Sequence, residues 1–158
     1  MRLAQRALFL IVAIAGLMPL NAMADKLEIK RWNPASMSKP KSYSQIVTVK
    51  GDHKLILLGG KAGLYADGTV PDSLEDQVKQ TFQNITLALK DAGAGPKDVV
   101  ELQVFVVDLA HINPEPIYQA IRDYFPENAR PVSMVIGVAA LARPSLKLEI
   151  NVTAAIAE

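Results

Sequence analysis

The sequence predicts an α+β domain in which two helices cover one face of a mixed β-sheet. Segments with alternating apolar residues indicate five strands, and two segments with apolar residues three and four apart indicate helices. They follow one another as strand, strand, helix, strand, helix, strand, strand over residues 43–158. Residues 25–42 are polar and contain Pro34 and Pro40, which predicts an extended arm before the domain.

The first two strands are expected to form a hairpin. Residues 43–49 alternate in polarity, residues 55–58 are an apolar run, and Gly51-Asp52 between them is a turn pair. Short strands joined by such a turn usually pair with each other. A glycine-rich loop then leads to the first helix.

Both helices carry signals at their ends. Ser73 lies three residues before Asp76, which is an N-cap pattern for a helix that Gly93 closes. Its apolar residues have helical spacing: Leu74, Val78, Phe82, Ile85, Leu89 and Ala92. The second helix is predicted over residues 114–125, because prolines are tolerated in a first turn.

Residues 99–109 predict a central strand that is apolar on both faces. Val100, Leu102, Val104 and Val106 lie on one face, and Val99, Phe105 and Val107 on the other. Two helices cover only one face, so the second face is expected to meet another copy of the chain. Two final strands are predicted at residues 131–141 and 146–155.

Composition and charge exclude several classes of protein. The chain has 17 Lys and Arg against 16 Asp and Glu, which argues against a broad basic face for nucleic acid. It has no cysteine, which excludes disulfide scaffolds, thiol catalysis and thiolate metal sites. Its two histidines, His53 and His111, lie far apart without metal-ligand spacing, so we expect no metal site.

Residues 1–24 have the pattern of a secretory signal peptide. Arg2 and Arg6 precede an apolar run over residues 7–18, and Ala22-Met23-Ala24 is an A-x-A cleavage site. The alternative is a membrane anchor, but the run is shorter than the ~20 apolar residues that span a bilayer. We expect cleavage after Ala24 and a periplasmic or secreted product that is not attached to a membrane.

Several motifs, together with the order of the elements, resemble those of the Rid family, also known as the YjgF family. The resemblance covers about residues 43–156 and rests on Leu57-Leu58-Gly59-Gly60, residues 104–109 (VFVVDL), Arg130-Pro131, residues 137–141 (GVAAL) and Leu148-Glu149-Ile150. It implies a chorismate-mutase-like α+β fold and a homotrimer with clefts for a small metabolite between subunits. The best-known members hydrolyse enamines and imines of amino acids to 2-keto acids and ammonia, without a cofactor.

One position departs from the family pattern. The deaminases carry an arginine in a Pro-Ala-Arg-Ser stretch, where it clamps the substrate carboxylate. The matching stretch here is Pro131-Val132-Ser133-Met134, which places Ser133 at the arginine position. Arg130 lies three residues away, so on a strand its side chain would leave from the opposite face. Arg130 could act as the clamp only through a bulge or an irregular turn.

The resemblance assigns roles to Glu149, Tyr43 and Gly60, and the positions of Lys61 and Ser133 suggest roles for these two residues. Glu149 would orient a water or a substrate nitrogen, or is a solvated charge. Tyr43 would pack over the ligand, or makes ordinary cross-strand contacts. Gly60 would let the backbone approach the ligand, or forms a tight turn. Lys61 would attract an anion, or is a solvated loop lysine. Ser133 would donate a hydrogen bond in place of the arginine, so the protein is either a hydrolase for a different substrate or a trimer that only binds a metabolite.

Overall fold

The structure is a computed structural model that describes residues 25–158. The predicted signal peptide, residues 1–24, lies outside the described residues. The helices are α1 and α2, and the strands are β1 to β6, in this order: β1 Glu28–Trp32, β2 Ile46–Lys50, β3 His53–Ala62, α1 Leu74–Asp91, β4 Val99–Val107, α2 Glu115–Tyr124, β5 Val132–Val138 and β6 Leu148–Ala157. The predicted α+β class is confirmed.

Strands β3 to β6 form one mixed sheet in the order β3-β6-β4-β5. Strand β4 runs parallel to β5 and antiparallel to β6. One face of this sheet packs against α1 and α2 and encloses the core. The residues that fill it from β4, β6 and the helices are Leu102, Val104, Val106, Leu148, Ile150, Val152, Val78, Phe82, Ile85, Leu89, Ile117 and Ile121.

Helix α1 begins and ends as its sequence predicts. The Ser73 hydroxyl accepts a hydrogen bond of 3.0 Å from the Asp76 amide, which satisfies one free N–H of the first turn. Gly93 follows the helix with φ of +79°, a conformation that favours glycine. Helix α2 is one residue shorter at each end than predicted.

The predicted hairpin is wrong, because β2 pairs with β1 and not with β3. The pairing is antiparallel and spans β2 completely, from Glu28 opposite Lys50 to Trp32 opposite Ile46. The partner strand comes from the segment predicted as an extended arm, and two hydrogen bonds of 2.9 Å from Arg31 to backbone carbonyls fix it beside the sheet. The Gly51 turn, with φ of +93°, therefore passes the chain from one sheet to the other.

Within residues 25–158, no helix or strand covers the second face of the sheet. Phe105 and Val107 on β4 are partly exposed, so within the chain β4 is buried on one face only. Leu57, Met134 and Ile136 on the same face are exposed. We call this surface, formed by the outward residues of β3 to β6, the open face.

No helix in residues 25–158 is long and apolar enough to cross a membrane.

Candidate functional site

Glu149 and Gly60 lie together on the open face. Glu149 is the neighbour of Phe105 across β4 and β6, which places its side chain opposite the helices. The register between β3 and β6 shifts between Leu58 and Lys61, so Gly59 and Gly60 form an irregularity beside Glu149. A Cβ atom at Gly60 would lie 1.7 Å from Glu149 Oε1. Only a glycine leaves room for the carboxylate in this position.

Lys61 follows this glycine and folds back onto the same irregularity. Its Nζ donates a 3.0 Å hydrogen bond to the Gly59 carbonyl. The ammonium group is thus held close to the chain, beside the glycine over which the Glu149 carboxylate lies.

Ser133 lies on the other face of the sheet. It is the neighbour of Leu102, which is fully buried under the helices. Ser133 and Tyr43 line a pocket of about 460 Å³. Its other lining residues are Tyr118, Ile121 and Arg122 of α2, together with Ser42 and Val135. We call this the serine pocket. Tyr43 precedes β2 and belongs to a loop, whereas the sequence predicts it within a strand.

The predicted site residues therefore form two groups on opposite faces of the sheet. Ser133 and Tyr43 lie on the helix side, and Glu149 and Gly60 lie on the open face. The sheet separates the two groups within one chain. One cleft that contains both groups needs two copies of the chain.

Arg130 is not on a strand. It follows a short 3-10 helix, Glu127–Ala129, and precedes β5. Ser44 fixes this turn, because its Oγ donates to the Arg130 carbonyl at 2.7 Å and its amide donates to the Pro131 carbonyl at 2.8 Å. The irregular turn that an Arg130 clamp requires is thus present.

The Arg130 side chain lines a second pocket, of about 290 Å³. The other lining residues are Asn33, Lys39, Pro40, Lys41, Tyr43, Ser44 and Glu127. We call this the basic pocket. Tyr43 borders both the basic pocket and the serine pocket.

Arg122 is a pocket residue that the sequence analysis missed. Its guanidinium pairs with Glu115 and donates to Gln119 Oε1 at 2.5 Å. Tyr118 and Arg122 are one helical turn apart and line the serine pocket together. That spacing was the available signal, because residues four apart share one face of a helix.

A larger groove, of about 710 Å³, lies between α1 and α2 and is lined by none of the predicted site residues. Val78, Phe82 and Tyr124 supply its apolar and aromatic lining. Burial raises the pKa of the Tyr124 phenol, whose oxygen lies 3.0 Å from Thr86 Oγ1.

Within residues 25–158, no three His, Asp or Glu side chains come together as they would around a metal ion.

Comparison with known proteins identifies the family. Residues 34–156 match the family model described as endoribonuclease L-PSP. A RutC family protein of Aquifex aeolicus is 25% identical over 114 residues, which cover 71% of this chain and 86% of that protein.

Solved structures agree with this assignment. YyfB, a Rid-family protein of Yersinia pestis, is 30% identical with a TM-score of 0.76, over 81% of this chain and 98% of its own. A YjgF/YER057c/UK114 family member of Mycobacterium tuberculosis is 26% identical with a TM-score of 0.57, over 82% of this chain and 100% of its own. The chain therefore belongs to the Rid (YjgF) family, and the resemblance read from its motifs is confirmed.

Proposed function

We propose that this protein is a Rid-type hydrolase that converts reactive enamines or imines to keto compounds and ammonia, in a cleft between neighbouring copies of the chain. The observation that carries the proposal is the Glu149 carboxylate held over Gly60 on the open face. A carboxylate at a surface where a second copy packs can act on a ligand that the second copy binds.

The exposed apolar residues of the open face support assembly into a homotrimer, the state that the family resemblance implies. Leu57 is 73% exposed and Met134 is 48% exposed, both on strands of the uncovered sheet face. An uncovered sheet face that exposes large apolar side chains usually marks an interface. A neighbour that covers it would bring its own serine pocket towards Glu149.

The chemistry requires water, one base and a site that holds the imine. The Glu149 carboxylate would accept a proton from water as the oxygen adds to the imine carbon. Glu149 returns that proton to the nitrogen, which gives the carbinolamine. The carbinolamine then loses ammonia as its hydroxyl proton passes to the nitrogen, its C–N bond breaks and the C=O bond forms. One imine and one water thus give one keto compound and one ammonia, with no oxidation or reduction. An enamine first gains a proton on carbon to become the imine.

A coupled assay tests the proposal. An amino-acid oxidase generates iminoacids in the presence of the purified protein, and the rate of imine disappearance is measured. We expect acceleration that is lost in Glu149→Gln and retained in Glu75→Gln, an exposed carboxylate on α1. No acceleration by protein that is shown to be trimeric would contradict the proposal.

The second candidate is a trimer that binds a metabolite without turning it over, and Ser133 favours it. A serine hydroxyl cannot reproduce the two parallel hydrogen bonds of a guanidinium. If the absence of this arginine is the only reason why the cleft does not hydrolyse imines, Ser133→Arg should gain imine hydrolysis that the wild-type protein lacks. Turnover by the wild-type protein would exclude this candidate.

We also propose that the protein is exported after cleavage behind Ala24. Intact-mass analysis of the protein from the periplasm or the medium should give a chain that starts at Asp25. A full-length product bound to the membrane would contradict export.

A further inference from the structure

We propose that the basic pocket binds the carboxylate of the ligand and that Arg130 replaces the arginine that the family carries at position 133. The identity of the ligand as an iminoacid or keto acid rests on the proposed function, whereas the anion site rests on the pocket itself. The ligand body would occupy the serine pocket, and its carboxylate would pass Tyr43, which borders both pockets.

The charges that line the basic pocket favour an anion. Arg130, Lys39 and Lys41 supply three positive charges, and Glu127 supplies one negative charge. Within residues 25–158, none of these four side chains belongs to an ion pair. Cations that line one pocket and have no ion-pair partner attract a small anion.

The Arg130 guanidinium has a donor that the described residues do not satisfy. Its Nε is buried and has no hydrogen-bond partner. A buried N–H without an acceptor is unfavourable, so the site gains when the Arg130 side chain turns and this N–H meets an acceptor in the pocket. A carboxylate fits this need, because it accepts two parallel hydrogen bonds from one guanidinium.

The backbone around Arg130 holds it in place for this role. Ser44 is buried and accounts for the two hydrogen bonds that fix the carbonyl groups of Arg130 and Pro131. Asn33 also lines the basic pocket. It is held in place because its Oδ1 accepts a 2.8 Å hydrogen bond from the Gln45 amide. A clamp on a fixed turn loses little entropy when it binds.

Arg122 is the competing guanidinium, since it lines the serine pocket directly. It already pairs with Glu115 and bonds Gln119. An incoming carboxylate would have to displace Glu115 from Arg122, whereas Arg130 has no carboxylate partner to lose. The geometry therefore favours Arg130.

Calorimetric titration with pyruvate and with its neutral analogue pyruvamide tests the assignment. We expect pyruvate to bind more tightly than pyruvamide, and Arg130→Gln to weaken pyruvate binding by about 10-fold or more without a comparable effect on pyruvamide. Lys90→Gln, the same change of charge at the end of α1 and outside both pockets, should leave pyruvate binding unchanged. Glu127→Gln removes the pocket's one carboxylate and should tighten pyruvate binding by about two-fold.

Three results would overturn the assignment: equal affinity for the two probes, an unchanged pyruvate affinity in Arg130→Gln, or a larger loss in Arg122→Gln than in Arg130→Gln. If circular dichroism shows that Arg130→Gln does not fold, Lys41→Gln and Glu127→Gln still decide, because they must shift the affinity in opposite directions.

The imine assay separates this inference from the proposed function. If turnover depends on Glu149 but pyruvate affinity is unchanged in Arg130→Gln, the assignment of the basic pocket is wrong and the proposed hydrolase function stands. Arg130-dependent pyruvate binding without turnover would support the pocket and overturn the hydrolase.

Discussion

The two faces of the four-stranded sheet differ in how this chain completes them. On the helix side, Leu102, Val104 and Ile150 are fully buried. On the open face, Glu101 accepts hydrogen bonds from Gln103 and Thr153, and exposed apolar side chains lie beside this polar group. The helix side is thus a core that residues of the same chain bury completely. The open face instead combines exposed apolar side chains with polar groups held by hydrogen bonds. That combination is typical of an interface.

The same division runs through the candidate site. The proposed ligand-holding groups, Ser133 and Tyr43, lie on the helix side, and the proposed base, Glu149, lies on the open face. Folding stability is therefore expected to depend on the helix side, assembly on the open face, and chemistry on groups from both faces. The variants below test this division, from the largest expected effect to the smallest.

Truncation of the core should destabilise the fold most. Ile150 on β6 is fully buried, so Ile150→Ala removes packing that its neighbours cannot replace. We expect a loss of about 2–5 kcal/mol in the free energy of unfolding, measured with urea at fixed protein concentration. The control is Leu87→Ala on α1, where Leu87 is 65% exposed. Equal losses in the two variants would contradict a core confined to the helix side.

The helix side also contains a buried glutamine, Gln77 of α1. Its Nε2 donates to the Pro71 and Ser145 carbonyls at 2.8 and 2.9 Å, and its Oε1 accepts the Lys147 amide at 2.8 Å. Gln77→Ala leaves these backbone groups without partners and should cost about 2–3 kcal/mol. Gln83→Ala, an exposed position on the same helix, should cost far less in the same urea titration. A cost below that of Gln83→Ala would show that water replaces Gln77.

On the open face, a charge should change assembly and not folding. Leu57→Glu places a carboxylate in the proposed interface, where it would lose its hydration. We expect light scattering to show monomers in place of trimers, with unchanged circular dichroism. The matched control is Leu87→Glu, since Leu87 is similarly exposed but lies on α1. A variant that remains trimeric would contradict the placement of the interface.

The two adjacent glycines of β3 separate positioning from stability. A Cβ at Gly60 meets the end of the flexible Glu149 side chain, whereas a Cβ at Gly59 meets nothing within 4 Å. Gly60→Ala should therefore displace the carboxylate and lower imine turnover by about 10-fold or more, with little change in melting temperature. Gly59→Ala should retain activity. If both variants retain full activity, the position of Glu149 over Gly60 has no role in turnover.

The smallest effect concerns an exposed pair remote from both faces. The hydrogen bond and the charge of Asp108 raise the pKa of His111. The pair's contribution to stability is present below the unfolded pKa of about 6.5 and is lost as the pH rises through the higher folded value. In an NMR titration, Asp108→Asn should lower the His111 pKa. Asparagine also tolerates the φ of +55° at this position. An unchanged pKa would show that the pair does not form in solution.

Local signals in the sequence were sufficient for the helices and the core face. The Ser73 cap and the spacing of three and four residues that follows it depend only on neighbouring residues. The pairing of β2 was not predictable in this way. A turn at Gly51 is compatible with a hairpin or with a change of sheet, and the choice depends on β1, which is distant in sequence.

The sequence nominated candidate residues one by one, but it could not give their arrangement. Period-two alternation gives the face of each residue within its own strand, but the relation between Ser133 and Glu149 depends on the registers of β5 and β6 against β4. Period-two alternation treats Arg130 as a strand residue, whereas in the structure it follows a 3-10 helix. The residues around it in the basic pocket come from the arm, whose path no local pattern determines.

The central claim is that one site takes Ser133 from one copy and Glu149 from its neighbour. The most direct test is the imine hydrolysis rate of trimers co-assembled from two inactive variants, Glu149→Gln and Ser133→Glu, the latter placing a repelling charge in the serine pocket. In random trimers an intact pair of groups forms at about one interface in four, so the mixture should recover about a quarter of the wild-type rate. A mixture as inactive as its parents, with mixed trimers shown by native mass spectrometry, would contradict a site shared between copies.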